Sequence, residues 1–141
     1  MFKNKRNLVI LVVTLFVAIL VMVYNMYNKP HRNIHTEKAV ITIKANDLFL
    51  TYEQNEIAAN SKFLDKTIEV TGEISELNIS AGENSMIVFK SEEDFFGVSC
   101  SFNNELKAQL TKLNKGDFVK VKGICKGYLS DVVLINCIIV N

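Results

Sequence analysis

The amino-acid sequence predicts a mostly β protein with helices: a five-stranded barrel preceded by an α-helix, carried behind one N-terminal transmembrane helix. Three observations predict it. An apolar run opens the chain. Around position 50 the hydrophobic residues recur with the 3.6-residue period of a helix, and beyond position 66 the period changes to two, as in half-buried strands.

Every residue from Leu8 to Tyr24 is apolar except Thr14, and Met26 and Tyr27 extend the run to the roughly 20 residues that span a bilayer. A secretory signal has a shorter apolar core, about 7 to 15 residues, closed by a small-residue cleavage site. Here Tyr-Asn-Met-Tyr-Asn-Lys-Pro follows, without an Ala-x-Ala-like site or a lipoprotein-type cysteine, so residues 8–27 are expected to stay as an uncleaved anchor. Lys3, Lys5 and Arg6 precede the span, against Lys29 and Arg32 after it. That bias holds residues 1–7 in the cytoplasm and sends the C-terminal domain to the periplasm or the cell exterior, with Tyr24 and Tyr27 at the outer interface. Pro30, which has no N–H, ends the helix.

Residues 28–44 read as a polar linker with room for a short strand around Val40, Ile41 and Ile43. Both histidines, His31 and His35, fall here without further ligands, so they read as solvated side chains rather than a metal pair. No metal or cofactor is expected anywhere in the chain.

The domain is expected over residues 45–141. A helix is predicted over 47–61, with Asn46 as N-cap and Asp47 favourably placed against the helix dipole. Leu48, Tyr52, Asn55 and Ala59 share one face. Asn55 is the polar member of that stripe and is assigned a structural role, tying the helix to a neighbouring backbone. The first strand is predicted over 67–74, with Gly72 marking a bulge or sharp coil. After a turn at 81–84 comes a strand over 85–90. The acidic turn 91–94 lacks the 12-residue ligand pattern of a calcium loop. A third strand is predicted over 95–102, with Phe96, Val98, Cys100 and Phe102 on one face. Leu106, Leu110 and Leu113 then repeat with helical spacing, and Gly116 ends that short helix. Strands over 118–125 and 132–140 flank a turn at 126–131.

Helix, then β-β-β-α-β-β, is the element order of the five-stranded OB-fold barrel. Residues 52–59 (Tyr-Glu-Gln-Asn-Glu-Ile-Ala-Ala), residues 68–74 (Ile-Glu-Val-Thr-Gly-Glu-Ile) and residues 123–127 (Gly-Ile-Cys-Lys-Gly) with Cys137 resemble the tRNA_anti-like family. The resemblance runs from about Ala45 to Val140. It implies an OB fold, a likeness to the anticodon-binding domains of tRNA-handling enzymes, and a membrane-anchored or lipoprotein-like setting.

The charge distribution weighs against nucleic acid. Residues 45–141 hold nine Lys, no Arg and fourteen Asp plus Glu, a net of −5, although the whole chain is +1. Nucleic-acid modules show a basic patch that neutralises phosphates. Phe89, Phe95, Phe96, Phe102 and Phe118 can be read as a base-stacking platform or as barrel core, and core is the expectation. Nucleic-acid binding is therefore the alternative, ranked below recognition of a protein or small ligand.

An exported location permits disulfides. In an OB barrel the third and fifth strands are parallel neighbours, and Cys100 and Cys137 both lie late in those strands. A bridge, if one forms, pairs Cys100 with Cys137 and leaves Cys125 free; the other reading is three buried thiols acting as small hydrophobes. The domain has no histidine, so neither a Ser-His-Asp nor a Cys-His arrangement can be assembled. Phosphate-loop and dinucleotide motifs are lacking as well, and no enzyme activity is expected. Anchored OB domains that deliver haem carry a histidine on a tail past the barrel, whereas this sequence reads Ile138-Ile139-Val140-Asn141 there. The expected function is a non-catalytic, membrane-anchored, extracytoplasmic recognition or scaffold module. Its binding face is expected at the loops 76–84 and 126–131, where Tyr128 and Leu129 are exposed-loop candidates, simple loop closure being the plainer reading of both.

Overall fold

The computed structural model describes residues 5–28, 33–82, 84–91 and 95–140. The chain divides into two compact units, Met1–Arg32 and Asn33–Asn141. Pro30 and His31, and the acidic residues 92–94, lie outside the described residues.

The first unit is one helix, α1 (Lys5–Tyr27). It is apolar on every side, and its described side chains are exposed. Thr14 donates its hydroxyl to the Leu11 carbonyl, so the one polar side chain in the apolar run is satisfied within the helix. The 21 residues Asn7–Tyr27 are long and apolar enough to cross a membrane, a measure that signal sequences also meet.

The second unit takes in much of the expected linker. Ile34 is buried, Lys122 Nζ donates to the Glu37 carbonyl, and the Val40 N–H donates to the Thr67 carbonyl. Strand β1 (Ile41–Lys44) then pairs in parallel with β2 (Thr67–Glu73). Residues 33–44 are thus folded, because Ile41 and Ile43 alternate as a strand needs and find an open sheet edge.

The single helix expected over 47–61 is two. Helix α2 (Ala45–Gln54) starts directly after β1, with Lys44 rather than Asn46 in the N-cap position. Asn55 is extended, φ −158° and ψ 92°, and caps α3 (Glu56–Phe63) by accepting the Ala58 N–H at 3.0 Å. Together they bury Leu48, Phe49, Tyr52, Ala59 and Phe63, with α2 against β1, β2 and two later strands, β5 (Val98–Phe102) and β7 (Val132–Val140), and α3 against β6 (Phe118–Tyr128).

The remaining strands are β3 (Glu76–Asn78), β4 (Ser85–Phe89), β5 (Val98–Phe102), β6 (Phe118–Tyr128) and β7 (Val132–Val140). A 3-10 turn, Asn104–Leu106, and the short α4, Lys107–Leu110, lie between β5 and β6. The sheet order is β1-β2-β6-β7-β5-β4-β3, seven strands where five were expected. Two causes account for the difference. β1 is an addition, and β3 forms at the start of the segment expected as the loop 76–84. Between β2 and β3, Ile74 N–H donates to the Asp117 carbonyl while Ser75 N–H donates to the Val88 carbonyl, so the chain passes from β6 to β4 within one residue. β2 and β3 therefore form one bent stretch of chain that closes the barrel, with β1 added outside β2. β5 and β7 are parallel, as the OB order requires.

Two glycines fix close approaches. A Cβ on Gly72 would lie 3.1 Å from both Ala45 Cβ and the Phe89 ring, where α2 crosses the barrel wall. One on Gly97 would lie 2.1 Å from the Phe89 carbonyl oxygen, which no side chain permits. The interior holds Ile68, Val70, Ile87, Phe89, Val98, Phe102, Val121 and Leu134, and each such burial contributes about 1.5–3 kcal/mol.

Candidate recognition cleft

β5 begins at Val98, not at residue 95, because Gly97 brings the chain against β4. Phe95 and Phe96 are thereby left outside the sheet, 90% and 49% exposed. Phe118, at the start of β6, is 72% exposed. Of the five phenylalanines expected in the core, only Phe89 and Phe102 are buried.

The exposed rings are not scattered. Phe96 and Phe118 rim a cleft of about 290 Å³ whose floor includes Phe49, Phe89 and Gly72. Lys44, Glu73 and Lys90 also line it. Phe95 lines the adjoining groove, which shares Glu73 and Lys90 with the cleft and adds Lys115. Lys90 bonds the Glu76 carboxylate, and that hydrogen bond with the lysine charge holds the Glu76 carboxyl below the usual range. The site is therefore apolar in its floor and rim, with cations and anions interspersed around it. It lacks the single-sign field that steers a polyanion.

The residues expected at the binding loops sit elsewhere. β6 runs on to Tyr128, with Gly127 at φ 96°, and Tyr128 is half-buried against the core. Its ring stacks on Tyr52 with 6.0 Å between centroids and meets Phe49 edge-on at 6.1 Å, so it is a packing residue and not an exposed loop side chain. Leu129 does stand at the tip of the β6–β7 turn, 87% exposed. The same turn is tied down where Asp131 Oδ1 accepts the Gly97 N–H at 2.7 Å. Asn55 is exposed and satisfies α3 locally, so it does not occupy the buried stripe expected for it.

All three cysteines are buried free thiols. Burial first, and then the neighbouring Cys137 thiol, pushes the Cys100 thiol well up. Cys125 lies at the Tyr52 hydroxyl. Among the described residues no group of three His, Cys, Asp or Glu side chains could hold a metal ion. His35 is exposed.

A closed barrel with parallel β5 and β7 and a helical connection between β5 and β6 is an OB-fold module. The chain belongs to the tRNA_anti-like family, whose model matches residues 1–139. Among solved structures it is similar to a Klebsiella pneumoniae protein provisionally named a nucleic acid-binding lipoprotein, at 16% identity and a TM-score of 0.58, over 70% of this chain and 91% of that one. It also matches a chain of the S. pombe Stn1-ten1 complex at 17% identity and a TM-score of 0.41, over 53% and 58% of the two chains. Asparaginyl-tRNA synthetase from Pyrococcus horikoshii matches at 14% identity and a TM-score of 0.39, over 57% of this chain and 20% of the synthetase. No curated protein matches the chain. Identities this low speak to fold alone.

Proposed function

We propose that the protein is a non-catalytic recognition module, anchored by α1 with its OB barrel outside the cytoplasm, and that the cleft between Phe96 and Phe118 receives an apolar or aromatic side chain of a protein partner. One observation carries this reading: two exposed phenylalanines converge on a cleft floored by core phenylalanines. Leaving such rings in water forgoes about 1.5–3 kcal/mol each, and contiguous exposed apolar surface marks interaction sites. Support for the anchored, exported setting comes from the length of the apolar helix and from the basic residues that precede it.

A second reading is single-stranded nucleic acid, because exposed rings beside Lys44 and Lys90 suit base stacking. The name of the Klebsiella neighbour points the same way. The net charge of −5 over residues 45–141 weighs against it.

A photoreactive phenylalanine analogue in place of Phe118, in the full-length chain in intact cells, separates the two. The expected result is a protein adduct that Phe96→Ser removes. A nucleic-acid adduct would establish the second reading, and recovery of lipid and self alone would overturn both.

A further inference from the structure

We infer that Cys100 and Cys137 are a built oxidation site, closing into a disulfide inside the barrel when the folding chain meets a disulfide oxidant. Its occurrence in the cell rests on the export proposed above.

The geometry begins with a bulge. Leu134 is buried on the inner face of β7 and pairs with Cys100 of β5. In a regular strand Asn136 would be the next inward residue and Cys137 would point out. Instead, Ile124 pairs with Ile135 and Lys122 with Ile138, so that one residue on β6, Gly123, opposes two on β7, Asn136 and Cys137. Asn136 takes up the extra residue at φ 52°. The bulge turns Cys137 inward, 1% exposed, one inward step along from Leu134.

Room for the sulfur is provided by the facing strand. The Cys137 sulfur lies 2.6 Å from where a Cβ on Gly123 would stand, so only glycine leaves that space on β6. Cys137 and Cys100 then share the buried core between the parallel neighbours β7 and β5, near enough for the one thiol to act on the other. The pairing of β5 with β7 runs to Cys100 and Leu134, and Cys137 lies beyond it. Cys125 has a different neighbour, the Tyr52 hydroxyl at 3.3 Å.

The chemistry is thiol–disulfide exchange. One cysteine thiolate attacks an external disulfide, forming a mixed disulfide and releasing one external thiolate. The second cysteine thiolate attacks the protein sulfur of that mixed disulfide and releases the other. Two protons and two electrons leave the cysteine pair, and the oxidant ends as two thiols. Both cysteines are fully enclosed in the finished barrel, and an enclosed thiol is a poor nucleophile. Exchange therefore belongs to the chain before β7 docks, and the finished barrel shields the bridge from reductants.

The test uses the full-length chain in detergent. One sample is unfolded, reduced and refolded with oxidised glutathione; another is taken from cells with its thiols trapped by an alkylating agent. Both are then unfolded, alkylated and weighed. The expected refolded product carries one alkyl group, on Cys125, and a peptide linking Cys100 to Cys137. Its thermal midpoint should stand on the order of 10 °C above that of the chain refolded reduced. Three alkylated cysteines after refolding, or a Cys125–Cys137 link, would overturn the inference and leave the export reading untouched. A bridge in the refolded sample but not in the trapped one would uphold the pairing and count against export.

Discussion

The hydroxyl of Tyr52 lies 3.3 Å from the sulfur of Cys125, joining α2 to β6 in the barrel interior. Burial first, and then the bond to Cys125, push the Tyr52 pKa up from its usual value. The unfolded chain therefore loses this proton first, near pH 10. The contribution to stability is complete below about pH 10 and is lost as the pH rises toward the folded value. Urea unfolding followed against pH should show a midpoint that falls above about pH 10, and Tyr52→Phe should flatten that fall. At neutral pH the same variant should cost about 1 kcal/mol, the weak bond to sulfur being all it removes.

Phe102 is fully buried, whereas Phe96 and Phe118 stand at the cleft rim. Phe102→Ala should cost about 3–5 kcal/mol, a large part of the roughly 5–15 kcal/mol that holds a domain together. Phe96→Ser and Phe118→Ser should stay within about 0.5 kcal/mol of the parent. Denaturant unfolding of the three variants checks the ranking. Equal losses at all three positions would mean that the rim rings are core after all.

Asn55 accepts the Ala58 N–H at 3.0 Å and sets the junction between α2 and α3. Asn55→Ala should lower stability by about 1 kcal/mol, and Asn55→Asp should restore it. Thermal melts of both variants decide. If alanine proves neutral, the junction is held by packing at Ala59 and Phe63 instead.

Strands were most legible where the residue pattern reported burial directly. Ile68 and Val70 alternate with Glu69 and Thr71, so β2 is legible from spacing, and β7 from the apolar, β-branched run that starts at Val132. β1 reads only as room for a short strand at the end of a linker, because four residues carry little periodicity and their partner on β2 begins 27 positions away in register. The break at Asn55 was hidden because Leu48, Tyr52 and Ala59 keep helical spacing straight through it. The overlooked signal was chemical: an asparagine followed by Glu56 is itself a helix start.

The cleft was missed for a related reason. Alternation cannot tell a ring that faces the core from one displaced ahead of the strand, so Phe96 was read as core together with Phe102. Gly97 was the clue, since a strand that starts right after a glycine often does so because two backbones have met. Tyr128 failed in the opposite sense: Gly127 reads as a turn, yet β6 continues through it. The neighbourhood of Cys100 and Cys137 followed from the parallel strand order, but the inward turn of Cys137 depends on the bulge at Asn136, which no simple period announces.

β7 follows every other strand in the chain and yet lies in the middle of the sheet, between β6 and β5. While a ribosome is still making that segment, the two strands destined to flank it have no common neighbour, and the barrel wall is open between them. Assembly is therefore nearly all-or-none, and it joins positions far apart in the chain, a topology whose folding is expected to take on the order of milliseconds to seconds. During that interval the nascent barrel is a client for chaperones and proteases, so any change that delays the arrival of β7 should lower the amount of protein made before it weakens the protein that results.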